Sequence, residues 1–235
     1  MAGRTADDVA RDAPSQLGRV CIVTGANTGI GKEAARVLAK LGATVFLACR
    51  DAAKADAARA SIVASCGGKA DVHCLPLDLS SFSSIHRFAE AFLSTGLPLH
   101  ILLNNAGFMT ATRGLTADGF ESHFGVNYLG PFLLTHLLLP RLRSSAPSRI
   151  INVASDIYTA SRLDINDLQL EKNFDGLRGY ANSKLMNILF TRELAARLEG
   201  TRVGVCSVHP GVVDSDFMRE SGREVRSESF FFLFC

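Results

Sequence analysis

Six short apolar runs recur along this chain and constrain its fold more than any other feature: RVCIVT (19–24), ATVFLAC (43–49), DVHCLPLDL (71–79), LHILLNNAG (99–107), RIINVAS (149–155) and RVGVCSVHPG (202–211). They are continuous rather than strictly alternating, as strands buried on both faces are. Between them KEAARVLAKLG (32–42), AAKADAARASIVAS (52–65), SSFSSIHRFAEAFLST (80–95), DGFESHFGVNYLGPFLLTHLLLPRLRSS (118–145) and the stretch 177–199 scan as helices, the fourth as one long helix with Gly130 and Pro131 inside it. Right-handed crossovers lay such helices on both sides of a parallel sheet, so the expected fold is α/β, doubly wound, with about six strands. No repeat or linker divides it. One domain is expected over 18–217, after a polar lead (1–17) and before an atypical tail (218–235).

At 235 residues with 47% hydrophobic content, the chain can fill a single core. Its charge of +2 is spread along the sequence, which argues against nucleic-acid and polybasic membrane partners. The six cysteines show no paired spacing, which fits a reducing compartment. Cys66, His73 and Cys74 match no zinc spacing, so no metal is expected. The N-terminal MAGRTADDVARDAP lacks the apolar stretch of a secretion signal, and no segment reaches the roughly 20 apolar residues that span a bilayer. A cytoplasmic protein without a transmembrane segment is expected.

The first turn, TGANTGIG (24–31), carries glycines at 25, 29 and 31 between the first strand and the first helix. Glycine there admits positive φ and lets a pyrophosphate approach the helix N-terminus, so the turn suits a dinucleotide. At the end of the second strand, Cys49 and Arg50 stand where an NAD-selecting chain usually offers a carboxylate to the ribose. An uncharged residue followed by a guanidinium favours the 2′-phosphate of NADP(H). Lys32 either adds a second positive charge or is solvated. Asp78 either reaches the adenine amino group or caps the next helix. In YANSK (180–184), Tyr180 and Lys184 are four apart and share one helix face, where an ammonium and a nicotinamide charge are expected to lower the phenol's pKa into acid/base range. Ser155 closes the fifth strand, at the edge where open α/β sheets bind ligands.

With TGANTGIG, NNAG (104–107), Asn127 in VNYLG, Ser155 in INVAS, YANSK and HPG (209–211) all in order, the sequence resembles the short-chain dehydrogenases/reductases, Rossmann-fold enzymes. IGKEAARVLAKLGATVFLACRD and INDLQLEKNFDGLRGYANSKLMNILFTRELAARL resemble their NADP-preferring retinol dehydrogenase branch. The resemblance covers about residues 18–217. It implies that Tyr180 exchanges a proton with the substrate oxygen, that Ser155 hydrogen-bonds that oxygen, and that Lys184 binds the nicotinamide ribose and tunes Tyr180. Asn127 would hold a water in a proton relay. For the cofactor it implies contacts from Gly25, Asn27, Thr28, Gly29, Ile30 and Gly31 in the first turn, and from Arg50, Asp78 and Leu79 beyond the second and third strands. Asn105, Ala106 and Gly107 would line the adenosine ribose, and Pro210, Gly211 and Val213 would lie against the nicotinamide. Asn104 and Asn105 could equally serve as turn formers, and Asn127 could simply kink its helix.

Two departures stand out. Ala154 precedes Ser155 where relatives carry serine. After HPGVVDSDFM, relatives continue with substrate-covering helices and a seventh strand, whereas RESGREVRSESFFFLFC ends this sequence, so lid and seventh strand are expected to be missing. FFFLFC would be an exposed apolar tail or, as the lesser alternative, a makeshift edge strand. The expected function is an NADP(H)-dependent oxidoreductase interconverting an alcohol and a ketone or aldehyde, with a lipophilic or retinoid-like substrate and a homodimer as possible partner. The alternative is a catalytically silent NADP-binding form acting as a regulator. A sugar-nucleotide epimerase also uses Tyr-x-x-x-Lys, but the glycine spacing and NNAG argue against it.

Overall fold

The structure, a computed structural model, describes residues 5–211 and 232–234. A short helix α1 (Ala6–Asp12) precedes the alternation β1 (Val20–Thr24), α2 (Gly29–Lys40), β2 (Thr44–Cys49), α3 (Ala52–Ser65), β3 (Val72–Pro76), α4 (Phe82–Ser94) and β4 (Ile101–Asn104). Then come a π-helical segment (His123–Leu129), α5 (Gly130–Ser144), β5 (Ser148–Val153), a 3₁₀ turn (Asp156–Ala160), α6 (Gly176–Arg197), β6 (Val203–His209) and β7 (Phe232–Phe234). The first six strands pair in parallel in the order β3-β2-β1-β4-β5-β6. The order reverses direction between β1 and β4, which opens a crevice at their C-terminal ends.

Alternate residues of each strand feed two cores. Ile22 and Phe46 face Phe88 and Phe92 of α4 and Leu134, Leu138 and Leu142 of α5. Cys21, Val23, Val45 and Leu47 face Ala35 and Ala39 of α2 and Ala55, Ala58 and Ile62 of α3. The small residues of α2, spaced by four, let it lie close to the sheet. The bulky ones of α4, Ile85, Phe88 and Phe92, follow the same helical face, and burying each phenylalanine contributes about 1.5–3 kcal/mol.

A polar chain also crosses this interior. Asn104 and Asn152 are register partners on β4 and β5. Asn104 donates to the Thr135 hydroxyl of α5 at 2.9 Å and to Asn152 Oδ1 at 2.8 Å. Asn152 donates in turn to the Thr191 hydroxyl of α6 at 2.9 Å.

The structure departs from the sequence expectations in four places. The polar lead folds into α1, capped by Thr5, whose hydroxyl accepts the Asp8 N–H at 3.2 Å, and tied to α2 by Asp7 through Arg36 and Lys40. The third strand stops at Pro76, on the outer edge of the sheet, with the Leu77 N–H giving a last bond to the Cys49 carbonyl at 3.0 Å. The long helix expected over 118–145 starts late, because Gly119 takes a left-handed φ of 83° and Leu115 and Glu121 form a β-bridge before the π-helical turn begins. Finally, Phe232–Phe234 pair antiparallel with Ser207–His209, the makeshift edge strand that was the lesser alternative to an exposed tail, beside the expected six-stranded parallel sheet. The outer edge of β6 offers unpaired backbone groups, and the tail supplies partners for three residues of it. Among the described residues, no helix is long and apolar enough to cross a membrane.

Candidate active site

The glycine-rich turn leaves β1 through Gly25 and Gly29, both left-handed at φ 65° and 53°. A Cβ on Gly31 would lie 2.6 Å from the Gly25 carbonyl oxygen and would collide with the Asn105 amide, so α2 starts pressed against the turn. Asn105 fastens the same place from β4: its side-chain N–H donates to the Thr24 carbonyl at 2.9 Å, and the Asn105 and Ala106 backbone N–H groups share the Thr24 hydroxyl at 3.0 and 2.9 Å. NNAG is therefore a brace between two strand ends. Thr28 makes no side-chain cap on α2, whose first turn points its N–H groups and the positive end of its dipole outward. Asn27 and Ile30 are half-buried along the turn and Thr28 is exposed. Glycines that bring backbone close, on a helix N-terminus without a side-chain cap, fit a pyrophosphate.

Cys49 is buried beneath this turn. Burial raises its thiol to about 11, against hydrogen bonds from the Ala26 and Asn27 backbone that lower it. Arg50, next in sequence, is exposed, and Asp51 caps α3 by accepting the Lys54 N–H at 3.0 Å. Asp78 lies two residues beyond β3 and binds the Ser80 N–H and hydroxyl at 2.9 and 2.7 Å. The cap of α4 is Ser81, not Asp78. Leu79 is buried in the core against Gly130.

The four residues singled out for chemistry converge on one edge. Ser155 lies two residues past β5 and caps the 3₁₀ turn through the Ile157 N–H at 3.4 Å. The Tyr180 hydroxyl is hydrogen-bonded to the Ser155 side chain. Lys184, one turn along α6 and only 3% exposed, donates to the Val153 carbonyl at 2.9 Å, and its Nζ stands 5.4 Å from the Tyr180 ring centre. Asn127, buried in the π-helical segment, accepts the Phe108 N–H at 3.0 Å and donates to the Phe108 carbonyl at 2.9 Å and to the Ser183 hydroxyl at 3.2 Å. Gly107 fits between: a Cβ there would lie 3.3 Å from Asn127 Oδ1 and 3.5 Å from Lys184 Nζ. Pro210 is buried and Gly211 left-handed at φ 79°, while Val213 lies outside the described residues.

The electrostatics differ from the sequence expectation. Burial raises the Tyr180 pKa well above the ordinary phenol range, the Ser155 hydrogen bond opposes this, and the Asp156 charge adds to it. Lys184 stands over the ring face rather than against the phenol oxygen, with one of its N–H donors on the Val153 carbonyl. Burial itself lowers Lys184 to about 8.

Sequence reasoning missed three groups around this edge. Asn187 of α6 donates to the Asn127 carbonyl at 3.1 Å. Asp156 Oδ2 lies 3.5 Å from His209 Nε2, and the Asp156 N–H donates to His209 Nδ1 at 3.3 Å. Glu121 and His123 form a buried pair below Asn127. Two residues apart, the latter would face away from each other on the expected helix, so the spacing gave no signal.

Similarity to known proteins agrees with this geometry. The family model described as short chain dehydrogenase matches residues 19–226. The chain is 52% identical over 204 residues to retinol dehydrogenase 12 of Homo sapiens, a match covering 87% of this chain and 64% of that protein, so it spans less than two thirds of that relative's length. Among solved structures, a putative uncharacterized protein from Mycobacterium paratuberculosis superposes with a TM-score of 0.76 at 40% identity, covering 86% of this chain and 71% of the other. The Pseudomonas aeruginosa RhlG/NADP active-site complex gives 0.70 at 30% identity, covering 89% and 78%. Fold, site geometry and these matches agree: the chain belongs to the short chain dehydrogenase family, in its retinol dehydrogenase-like branch.

Proposed function

We propose that this protein is an NADP(H)-dependent oxidoreductase that interconverts an alcohol and a ketone or aldehyde, with a lipophilic substrate and Tyr180 as the acid/base. One observation carries the reading: the Tyr180 hydroxyl meets the Ser155 hydroxyl at the C-terminal edge of β5, with Lys184 one turn away. The human relative's name, retinol dehydrogenase 12, and the NADP complex of the bacterial neighbour support substrate class and cofactor.

The glycine turn and the α2 N-terminus would hold the pyrophosphate, and Arg50 the 2′-phosphate. When bound, the nicotinamide supplies or accepts the hydride. In the reducing direction Tyr180, kept protonated by burial, gives its proton to the substrate oxygen while Ser155 orients that oxygen. Lys184 holds a cation behind the phenol ring and steadies the tyrosinate that remains. Asn127 fixes the Phe108 backbone and so the wall of the cleft beside Gly107.

A second copy of the chain is the proposed partner, placed on α5 and α6, where Phe132 and Leu189 are 42% and 45% exposed. Light scattering on Leu189→Glu should report a smaller particle than the parent.

The decisive experiment measures NADPH consumption across a panel of aldehydes and ketones, with NADPH affinity by calorimetry. Tyr180→Phe should lose roughly 10²- to 10⁴-fold in turnover and keep its affinity for NADPH. A parent protein that binds NADPH tightly and turns over nothing would instead be a silent binder.

A further inference from the structure

Beneath the cleft wall lies a buried carboxylate–imidazole pair that the proposed chemistry does not use. Glu121 and His123 are 1% and 0% exposed. The Thr110 backbone N–H, which can only donate, points at His123 Nε2 from 3.1 Å, so that nitrogen carries the lone pair. The ring proton therefore sits on Nδ1 and is donated to Glu121 Oε1 at 2.9 Å. Glu121 also accepts the backbone N–H groups of His123 and Phe124, each at 2.9 Å. Burial alone would raise the Glu121 carboxyl, but these donors outweigh it and leave its pKa below the usual value. The imidazole is stacked between Phe108, at 5.3 Å and 13°, and Phe174, at 6.1 Å and 14°.

What this pair touches gives it meaning. Thr110 and Phe108 belong to the segment that Asn127 grips. A Cβ on Gly176, at the start of α6, would strike the Thr110 carbonyl oxygen, and one on Gly179 would lie 2.8 Å from His123 Nδ1. The turn of α6 just before Tyr180 therefore rests on Thr110 and on the imidazole. Removing a carboxylate from water is costly, and an apolar pair would fill this space without that cost, so packing alone does not account for the choice.

We propose that Glu121 and His123 are positioning residues: a carboxylate-held imidazole that fixes the 108–110 segment and the first turn of α6, and through them the placement of Tyr180 against the substrate oxygen. The proposal deepens the oxidoreductase reading and rests on it for its kinetic arm. His123→Phe keeps the ring stack and removes both hydrogen bonds. It should lose about 10- to 100-fold in kcat, as misplacement near 1 Å does, while NADPH affinity stays within about twofold. His123→Gln, whose amide can offer an acceptor to Thr110, should recover part of the loss. In the unmodified protein the imidazole N–H should give a slowly exchanging, downfield NMR resonance that disappears in Glu121→Gln. Folded His123→Phe with unchanged kcat, or with kcat and NADPH affinity falling together, reduces the pair to core filling and overturns the proposal. If the parent protein shows no turnover, the oxidoreductase reading fails first. The pair is then judged on hydrogen exchange: amides of 108–112 that stay protected in His123→Phe overturn it, and their release supports it.

Discussion

The Nζ of Lys184 lies 5.4 Å from the centre of the Tyr180 ring, yet its hydrogen bond goes to the Val153 carbonyl. The two side chains are neighbours through the ring face rather than through the phenol oxygen. An ammonium so placed is desolvated without an anion to compensate, which explains its lowered pKa.

That geometry fixes a titration. Lys184 should titrate near pH 8 in 15N-lysine NMR of the folded protein, whereas ordinary lysine titrates near 10.5. The sign for stability follows. Between those two values the unfolded chain holds a proton that the folded chain lacks, so stability rises with pH across the window. Lys184→Met should flatten this rise in urea titrations, and a folded-state value near 10.5 contradicts the desolvation argument.

Glu121 gives the opposite limb. Its folded pKa lies below the reference value of 4.5, so its contribution is fully present above that value and disappears as pH falls through the folded one. Glu121→Gln should unfold with a shallower acid dependence than the parent when followed by circular dichroism. An unchanged acid limb would mean that the buried carboxylate is not the group being protonated.

Arg50 should decide between the two nicotinamide cofactors. It is exposed beside the buried Cys49, whose thiol is occupied under the turn. A hydrogen bond to a charged phosphate contributes about 1.5–3 kcal/mol, roughly 10- to 100-fold in affinity. Arg50→Ala should lose that much for NADPH and little for NADH by calorimetry. Equal losses would place the 2′-phosphate elsewhere.

Gly31→Ala tests the brace between the turn and β4. The added methyl would meet the Gly25 carbonyl oxygen and the Asn105 amide, neither of which can retreat freely, since Asn105 is bonded to Thr24. Overpacking of this kind costs about 1–3 kcal/mol. A lower urea midpoint together with weakened NADPH binding is expected; an undisturbed variant would show that the turn has slack.

The strands were readable because buried parallel strands are continuous apolar runs, and Tyr180 with Lys184 because four residues is one helical turn. Those signals are local. The direction of the Tyr180 shift was not readable, since it depends on how deeply the phenol is buried and on the nearby Asp156 charge. Glu121 and His123 were hidden by a spacing that makes contact only after the chain bends at Gly119. The place of Leu79 in the core was likewise not readable, since its neighbour Gly130 of α5 lies far along the sequence.

The Asn104–Asn152 pair has a consequence for how the sheet assembles. Were β4 to slide against β5 by a single residue, the amides would turn to the opposite layer and lose Thr135 and Thr191, leaving several donors stranded in hydrocarbon. Sliding by two would part the asparagines from each other. A greasy sheet centre tolerates many alignments, whereas this one works like a key cut for a single notch, and strand exchange between neighbouring molecules is penalised by the same teeth.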